Sequence, residues 1–410
     1  MLKTIAIVLA LAGSVNAAGF RQANQSASAN GMGTAFSAVA NDASAVWYNP
    51  AMLGDLNGTN VSVGAVFIDP RTEHTNTNGT IDRTENKLHT LPHVYATHKL
   101  SDKFAIGLGM LVPFGLTTEW DPVTANTRRV ATESALKAIY TGLTGSYKVT
   151  DKLSVGAGAS HVSLDATMNK KIEFAGNDVE QTLEGDGTGT AWQLATNYKL
   201  NSKWNLAANY RSQVKVKIDG KIHLPTTGAL AAAAATNKDA KTEITLPDTF
   251  QLGAAYKHSE NLLFSVEADY TDWTTYDKLV IDYTNDAGVA SRSTDYKYWN
   301  SAWAFRVGTE YKVNDAWKLR AGSYYDLSPV DNKFFETRNT CSDRLGVSVG
   351  AGYTKGSFSV DFSYLYLKFM ERRVNNSIQD DGSLLADKTV LNGKYNTTAR
   401  LPALTVNYKF

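Results

Sequence analysis

Stretches in which apolar and polar residues alternate recur along most of the chain. In 358–364 every second residue is apolar, and 204–210 alternates in the same way. The same pattern continues in 262–270 and 303–311. Side chains on a β-strand point alternately to its two faces, so each stretch predicts a strand with one apolar and one polar face.

Short polar turns recur at one end of these strands. An aromatic residue or His is followed by Lys, in one copy after an intervening Thr, and then by a few polar residues and the next strand. The copies lie at 98–103, 147–152, 198–203, 256–260, 311–315 and 353–357, and 408–410 ends the chain in the same way. This spacing predicts tight hairpins, and an aromatic ring beside a Lys suits a membrane–water interface.

Longer polar stretches separate the hairpins. They span 71–86, 118–134, 169–187, 219–243, 277–298, 328–343 and 371–396. Short turns at one end and long loops at the other are typical of outer-membrane barrels, and the strands between them number about fourteen. We therefore predict an all-β, transmembrane antiparallel β-barrel with apolar faces toward lipid and charged faces toward the lumen. The alternative is a soluble sandwich with the apolar faces as its core.

Composition and charge argue against two other classes of protein, nucleic-acid-binding proteins and helical membrane proteins. A net charge of +1 argues against nucleic acid as a partner, because phosphate binding needs a basic excess. Beyond the first twenty residues, no apolar run reaches the roughly 20 residues of a transmembrane helix.

Residues 1–17 are predicted to be a signal peptide, with Lys3 before the apolar stretch 5–12 and a cleavage site after 15–17. A short membrane anchor is the alternative.

Several short motifs are informative through the order in which they follow one another along the chain. Residues 18–20 are Ala-Gly-Phe, 28–36 are rich in Gly and Ala, and 41–51 end in Asn-Pro-Ala. Further motifs lie at 113–116, 118–120, 210–212, 246–248, 269–273, 326–330 and 343–344. Each is weak alone, but their order over nearly the whole chain resembles the FadL family of outer-membrane transporters. In that family the Asn-Pro-Ala element ends an N-terminal plug, the hatch. The corresponding hatch candidates are Phe20, Asn49, Pro50 and Ala51.

The resemblance implies a monomeric barrel, 54–410, with a hatch, 18–53, in its lumen. Family members are thought to catch hydrophobic molecules on outer loops, pass them to a pocket near the hatch and release them sideways at a kink in the third strand. The implied partners are a hydrophobic ligand, outer-membrane lipid and lipopolysaccharide, and the barrel assembly machinery, which would bind the C-terminal Phe410. We expect a long-chain fatty acid as ligand; the alternatives are an aromatic hydrocarbon channel and a surface adhesin.

The third predicted strand, 103–120, is a candidate for that kink. Proline lacks a ladder donor and glycine often marks a bulge, so pairing should fail locally. The candidate residues of a lateral gate are Gly107, Gly109, Pro113 and Gly115. The alternative is a bulge at the barrel rim without a function.

Two stretches that we expect in outer loops are unusually apolar for loops. Residues 128–140 could form a helix with Val130, Leu136 and Ile139 on one side, and 224–236 contains Leu230 followed by alanines. Apolar surface on an outer loop suggests a capture site for hydrophobic ligands. Packing of each stretch against its neighbouring loop is the alternative.

The carboxylate of a fatty acid would need a nearby cation. Lys170 and Lys171 lie at the outer end of the predicted fifth strand, and Arg344 matches the family's Asp-Arg element. Each could instead pair with a carboxylate of the lumen. An uncharged aromatic ligand would need no cation.

We expect neither catalysis nor a cofactor or metal. Residues 346–350 fit Gly-x-Ser-x-Gly, but they lie in an alternating stretch and not at the strand-to-helix turn that the hydrolase motif requires. His89 and His93 would lie roughly 13 Å apart along a strand, too far for one metal ion. Cys341 is the only cysteine, so no intramolecular disulfide can form, and it is either a reactive thiol or an incidental loop residue.

Overall fold

Antiparallel strands make up most of the described chain. The structure, a computed structural model, describes residues 19–174, 177–223, 237–284, 290–377 and 389–410. Fourteen strands follow one another in chain order around a closed barrel, in which the last pairs with the first. Among the described residues, no helix is both long and apolar enough to cross a membrane. The predicted signal peptide, 1–17, and Leu230 lie outside the described residues.

Ten of the strands are continuous. They are β1 (Thr59–Asn76), β2 (His89–Lys99), β3 (Phe104–Glu119), β4 (Glu133–Lys148), β5 (Leu153–Phe174), β6 (Asn177–Lys199), β11 (Trp317–Asp326), β12 (Arg344–Lys355), β13 (Phe358–Phe369) and β14 (Gly393–Lys409). The other four are interrupted. They are β7 (Trp204–Arg211 and Val214–His223), β8 (Asn237–Leu246 and Thr249–Lys257), β9 (Leu262–Thr271 and Lys278–Thr284) and β10 (Ala290–Tyr296 and Ala302–Lys312).

Short elements complete the described fold. Two small strands, Ile81–Arg83 and Arg372–Val374, lie in loops. The N-terminal part contains α1 (Ala27–Gly31), α2 (Ala45–Tyr48) and a 3-10 turn, Pro50–Asp55; two more 3-10 turns are Trp273–Thr275 and Asn332–Phe334.

The predicted barrel and its six short turns are confirmed. Each predicted hairpin joins two neighbouring strands, from the β2–β3 turn to the β12–β13 turn, and the C-terminus lies at the same end, where Phe410 donates to the carbonyl of Thr59 at 2.9 Å. The long polar stretches are only partly loops. In 169–187, for example, β5 and β6 remain paired up to Phe174 and Asn177.

The helix predicted over 128–140 is wrong. β4 begins at Glu133, and Leu136 pairs with Leu116 of β3 and Ala166 of β5. Ile139 lies on the other face of β4, since side chains alternate along a strand. Apolar residues spaced for a helix face therefore end up on opposite sides of the barrel wall.

The outward faces of the strands are apolar and the inward faces polar. In β9, Val266 is 51% exposed, whereas the neighbouring Glu267 is only 4% exposed. The same inversion recurs in β10, where Phe305 is exposed and Arg306 is buried. An exposed apolar belt around a buried polar interior excludes the soluble sandwich and is the pattern of a barrel in lipid.

Residues 19–56, called here the N-terminal segment, fill the interior. Most of them are buried. Ser26 caps α1 by accepting from the backbone N–H of Ala29 at 3.2 Å, and the hydroxyl of Tyr48 donates to the carbonyl of Ala23 at 2.8 Å. Burial raises the pKa of Tyr48 well above its ordinary value. The segment is thus an ordered part of the fold with its own hydrogen bonds.

Glycine in the barrel wall lets the segment approach. A Cβ added at Gly322 of β11 would lie 2.1 Å from the carbonyl carbon of Met32. We predict that Gly322→Ala lowers the free energy of unfolding by about 1–3 kcal/mol, as overpacking does. The variant should also raise ion conductance in planar bilayers, because the segment must shift away from the wall.

Gly145→Ala is the matched control. A Cβ there would meet only the carbonyl oxygen of Ala105, at an ordinary 3.9 Å. Its stability and conductance should equal those of the unchanged protein. Equal conductance of the two variants would show that the segment does not depend on this close approach.

Candidate functional site

β3 changes partners halfway along its length. It pairs with β2 only as far as Met110, opposite Val94, and its register with β4 shifts between Leu111 and Phe114. Pro113 lies in this shift and has no N–H to donate. All residues from 111 to 115 are buried, so the alternation of exposed and buried positions is lost here.

The result is a gap in the barrel wall between the first part of β2, 89–93, and the second part of β3, 111–118. Below it, β2 and β3 are paired from Val94 and Met110 onward. Above it, the N–H of Glu85 donates to the carbonyl of Glu119 at 2.9 Å, and Lys87 forms an ion pair with Glu119. We call this bounded opening the wall gap.

The N-terminal segment takes the hydrogen-bonding place that β2 leaves empty. The N–H of Gln22 donates to the carbonyl of Pro113 at 2.8 Å, and that of Gly115 donates to the carbonyl of Phe20 at 3.0 Å. The side-chain amide of Gln25 donates to the carbonyl of Val112 at 2.9 Å and accepts from its N–H at 3.3 Å. The backbone of β3 at Val112, Pro113 and Gly115 is therefore hydrogen-bonded from the inside of the barrel.

The four predicted kink residues have different environments. Gly107 and Gly109 are paired regularly on both sides, and a Cβ added at either would lie within 3 Å of Val46 in the N-terminal segment. They allow close packing and lie outside the break. Pro113 lies in the break, and Gly115 lies beside it with room for a Cβ, whose nearest neighbour would be 3.7 Å away.

Two cavities adjoin the wall gap. The side cavity, of about 1480 Å³, lies in the gap between Leu88–Leu91 and Gly115–Glu119. The apolar cavity, of about 850 Å³, lies inside the barrel against the outer halves of β4 to β9. Both volumes include space open to solvent. The residues that line both cavities, and so separate them, are Phe20, Leu116, Leu136 and Asn339.

Phe20 is held in an aromatic cluster at this partition. Its ring centroid lies 4.6 Å from that of Trp273, 5.8 Å from Trp299 and 5.9 Å from Tyr276. Phe114, in the break of β3, is 6.2 Å away. Such edge-on and tilted pairs are favourable beyond the area they bury. The hatch candidate Phe20 therefore joins the N-terminal segment to the interrupted strand.

The loop between β11 and β12, 327–343, covers the outer side of the apolar cavity. The indole N–H of Trp120 donates to the carbonyl of Thr337 at 3.0 Å, and Arg372 donates to the carbonyl of Cys341 at 2.8 Å. Lys297, which is fully buried, forms an ion pair with Glu336. The loop is thus folded into the mouth of the barrel.

Charged residues of the barrel wall hold the N-terminal segment in place through ion pairs and hydrogen bonds. Asp269 of β9 accepts from Arg21 at 2.8 Å and from Arg306 at 3.1 Å, and Glu267 accepts from the N–H of Ser37 at 2.9 Å. All are buried, and removing one partner of a buried pair costs roughly 3–5 kcal/mol. These contacts keep the lumen beneath the cavities occupied.

The other hatch candidates also lie in this segment. The amide of Asn49 donates to the carbonyl of Ser37 at 2.9 Å, and its oxygen accepts from the N–H of Ala51 at 3.0 Å. Pro50 begins the following 3-10 turn, and a Cβ at Gly156 would lie 2.4 Å from the backbone nitrogen of Ala51. The Asn-Pro-Ala element thus turns the chain against the wall.

Ser348, in the Gly-x-Ser-x-Gly stretch, is part of the same packing. Its hydroxyl accepts from the N–H of Gly33 at 3.0 Å and donates to the carbonyl of Gly31 at 3.1 Å. The stretch lies within β12, away from any strand-to-helix turn. Within the described ranges, no group of three or more His, Cys, Asp or Glu side chains is placed to hold a metal ion.

The predicted ligand-binding residues are not brought together. Lys171 forms an ion pair with Glu180 at 2.7 Å on β6, and Lys170 lies beside it on β5; neither lines the two cavities. Arg344 lines the side cavity but is bound to Asp326 through two contacts of 2.7 and 3.0 Å. Leu136 lines both cavities, and Ile139 lines neither.

Four important residues were not predicted. Gln22 and Gln25 donate hydrogen bonds to backbone carbonyls of the interrupted strand β3. Arg338 and Asn339 line the apolar cavity. No motif distinguishes them in the sequence, because their roles depend on contacts between distant parts of the chain.

Cys341 belongs to the loop 327–343, and its side chain is buried. Its sulfur accepts from the N–H of Gly19 and from the hydroxyl of Ser328, both at 3.3 Å. Burial raises the pKa of the Cys341 thiol, which disfavours the reactive thiolate. The reactivity of the Cys341 thiol therefore measures whether Gly19 of the N-terminal segment stays packed against the loop 327–343.

Comparisons with known proteins agree with this architecture. The model of the family described as "Outer membrane protein transport protein (OMPP1/FadL/TodX)" matches residues 8–410. The chain is 28% identical to the 47 kDa outer membrane protein of Pasteurella multocida, over 98% of this chain and 96% of that one. It is 24% identical to the long-chain fatty acid transport protein of Escherichia coli, over 85% and 87%.

Solved structures share the fold. A FadL homologue of Pseudomonas aeruginosa has a TM-score of 0.82 at 20% identity, covering 96% of this chain and 100% of that one. The toluene transporter TodX of Pseudomonas putida has a TM-score of 0.72 at 16% identity, covering 97% and 99%.

We predict that Cys341 in the folded protein resists maleimide, and that denaturant makes it fully reactive. The matched control carries Ser259→Cys, in an exposed turn, together with Cys341→Ser, and it should react at once in the folded state. Mass spectrometry over time measures both rates. Rapid modification of Cys341 in the folded detergent-solubilised protein would contradict the packing of Gly19 and Ser328 around the sulfur.

Proposed function

Because the chain belongs to the outer membrane protein transport protein family (OMPP1/FadL/TodX), we propose that it carries long-chain fatty acids across the outer membrane. The family consists of outer-membrane transporters of hydrophobic compounds, and the protein is a multi-stranded barrel of that membrane. The choice of fatty acids, the route and the residues that follow are part of the proposal.

One observation carries the proposed route: an apolar cavity lies beside a gap in the barrel wall, while the N-terminal segment occupies the lumen below. A hydrophobic molecule in the cavity has apolar neighbours on one side and the side cavity on the other. Release through the wall gap would transfer it into lipid, which is the favourable direction for apolar surface.

In this route the outer loops capture the ligand, and the apolar cavity receives it. Residues 18–53 act as the hatch that blocks the straight path to the periplasm. The break at Pro113 forms the lateral gate, and Phe20 with Leu116 separates the ligand in the apolar cavity from the exit. Transfer would therefore require these side chains to move aside.

Two features support a fatty acid. The apolar cavity includes a cation, Arg338, among mostly aliphatic side chains such as Leu136 and Ile218. Relatives over most of the chain are named long-chain fatty acid transport proteins. An aromatic hydrocarbon is the second candidate, favoured by the aromatic rings of Tyr276 and Trp299 in the cavity lining.

The remaining partners follow from the same proposal. We expect the barrel to work as a monomer, with its apolar belt in lipid and its outer end among lipopolysaccharide. Phe410, which is 74% exposed at the end of the chain, is the proposed contact of the barrel assembly machinery.

Displacement of a fluorescent long-chain fatty acid from the detergent-folded protein tests the substrate. Competition by unlabelled fatty acid, and not by toluene, is the expected result. Competition by toluene alone would favour the hydrocarbon channel. A probe that shows no saturable binding would contradict transport and favour the adhesin, whose binding would reside on the outer loops.

A bulky side chain in the wall gap should separate binding from transport. We predict that Gly115→Phe places a bulky ring in the side cavity at the wall gap and obstructs it, so that cells take up labelled fatty acid at least about tenfold more slowly, while affinity in detergent changes little. Gly115→Ala is the matched control and should retain uptake, because its Cβ has ordinary contacts. Normal uptake by the Phe variant would rule out exit through this gap.

A further inference from the structure

Lysines occur in neighbouring pairs at the end of the barrel that carries the short turns, the periplasmic end of an outer-membrane barrel. Six times around this end, a backbone N–H donates at 2.8 Å to a carbonyl of the preceding short turn. At three of these places both residues are lysines: Lys148 with Lys103, Lys199 with Lys152, and Lys257 with Lys203. At the other three the carbonyl belongs to Asn261, Ala316 or Ser357. We call the first three the lysine pairs; they lie from β3 to β8.

Each lysine pair has more positive charge than its nearest carboxylate neutralises. The second lysine of each pair already has a partner: Lys148 binds Asp151 at 2.8 Å, Lys199 binds Asp55 at 2.6 Å and Lys257 binds Glu260 at 2.7 Å. Within the described part of the chain, the first lysines form no ion pair and are exposed; they are Lys103, Lys152 and Lys203. Like charges on adjacent strands repel, so a singly charged anion at each pair is favourable.

The depth of the lysine pairs follows from the apolar residues beside them. In four of the short turns the residue after the first Lys is apolar and 43% to 57% exposed; these residues are Leu100, Val149, Leu200 and Val313. The rings of Phe104 and Tyr147 face outward with centroids 4.7 Å apart. Trp204 and Tyr256 form the same kind of pair, also at 4.7 Å. Such residues are stable at the level of lipid headgroups, where a Lys stem lies along apolar surface and its ammonium reaches the polar layer.

We propose that the lysine pairs bind the phosphate of anionic phospholipids in the periplasmic leaflet of the outer membrane. The group recognised is a phosphodiester with one net negative charge, whose acyl chains lie against the outward-facing aromatic rings. One ammonium of each pair keeps its carboxylate, and the other receives a phosphate oxygen. A zwitterionic headgroup carries its own cation and therefore gains less. The proposal does not depend on which substrate the barrel carries.

The distribution of the charge favours a lipid over a soluble acidic protein as the partner. The segments 98–104, 147–153, 198–204 and 256–262 contain seven lysines and three acidic residues. They are spread over neighbouring hairpins along the barrel rim instead of forming one compact patch. Separate sites of this kind suit several small ligands that diffuse in the membrane, and a cation close to an anionic lipid surface strengthens binding.

Energy transfer from the protein's tryptophans to labelled lipid tests the proposal. The full chain is placed in nanodiscs of phosphatidylcholine that contain a trace of pyrene-labelled phosphatidylglycerol or pyrene-labelled phosphatidylcholine. The anionic lipid should bind at least about threefold more strongly, because one lysine near an anionic headgroup contributes roughly a fivefold factor and only part of the rim carries pairs. The triple variant Lys103→Gln, Lys152→Gln and Lys203→Gln should lose most of this preference.

The matched control removes the same charge from the other half of the rim, by Lys312→Gln, Lys355→Gln and Lys409→Gln. It should keep the preference for the anionic lipid, since these lysines have no lysine across the backbone hydrogen bond. Replacing the three test lysines by Arg should keep it as well, because the charge remains. An equal loss in both Gln variants would show that net charge, and not the lysine pairs, attracts the lipid, and would contradict the proposal.

Two further outcomes would overturn the proposal. Equal binding of the two labelled lipids to the unchanged protein would leave the lysine pairs for a soluble acidic partner. Inorganic phosphate, added at constant ionic strength, should not alter the energy transfer. Release of the labelled phosphatidylglycerol by inorganic phosphate would identify a site for the free anion instead of a lipid headgroup.

Discussion

The structure depends on how the backbone of β3 is satisfied beyond Met110. A strand in lipid must pair every N–H and C=O, because no water is available there. Here the partner strand leaves and Pro113 breaks the register, yet Gln22 and Gln25 of the N-terminal segment supply the missing hydrogen bonds. The N-terminal segment thus supplies hydrogen-bond partners to Val112, Pro113 and Gly115 beside the wall gap.

The same segment therefore has two roles. Its buried contacts with wall residues such as Asp269 and Ser348 keep the lumen filled, and its first residues hold the interrupted strand. Phe20 belongs to both sets of contacts and lies between the apolar cavity and the side cavity. A filled lumen and a side opening thus both depend on one packed element, and the proposed exit of a hydrophobic ligand through the wall rests on this arrangement.

Much of the fold could be predicted from the sequence, because strand alternation and turn chemistry are local. Val266 is exposed and its neighbour Glu267 is buried because successive side chains on a strand point to opposite faces. The helix over 128–140 was a wrong prediction, because its apolar spacing suits a helix and only long-range pairing makes it a strand. Arg338, which lines the apolar cavity, could not be identified, since its contact with the carbonyl of Val130 joins segments that are distant in the chain.

Photoaffinity labelling with a long-chain fatty acid bearing a diazirine tests the sideways route most directly. After irradiation in native membranes, mass spectrometry locates the adducts. The account predicts adducts in the apolar cavity and on both borders of the wall gap, for example at Leu91 and Leu116. Adducts on inward-facing residues near the short turns, such as Ser146 and Asn197, would show that ligand passes straight through the lumen and would contradict it.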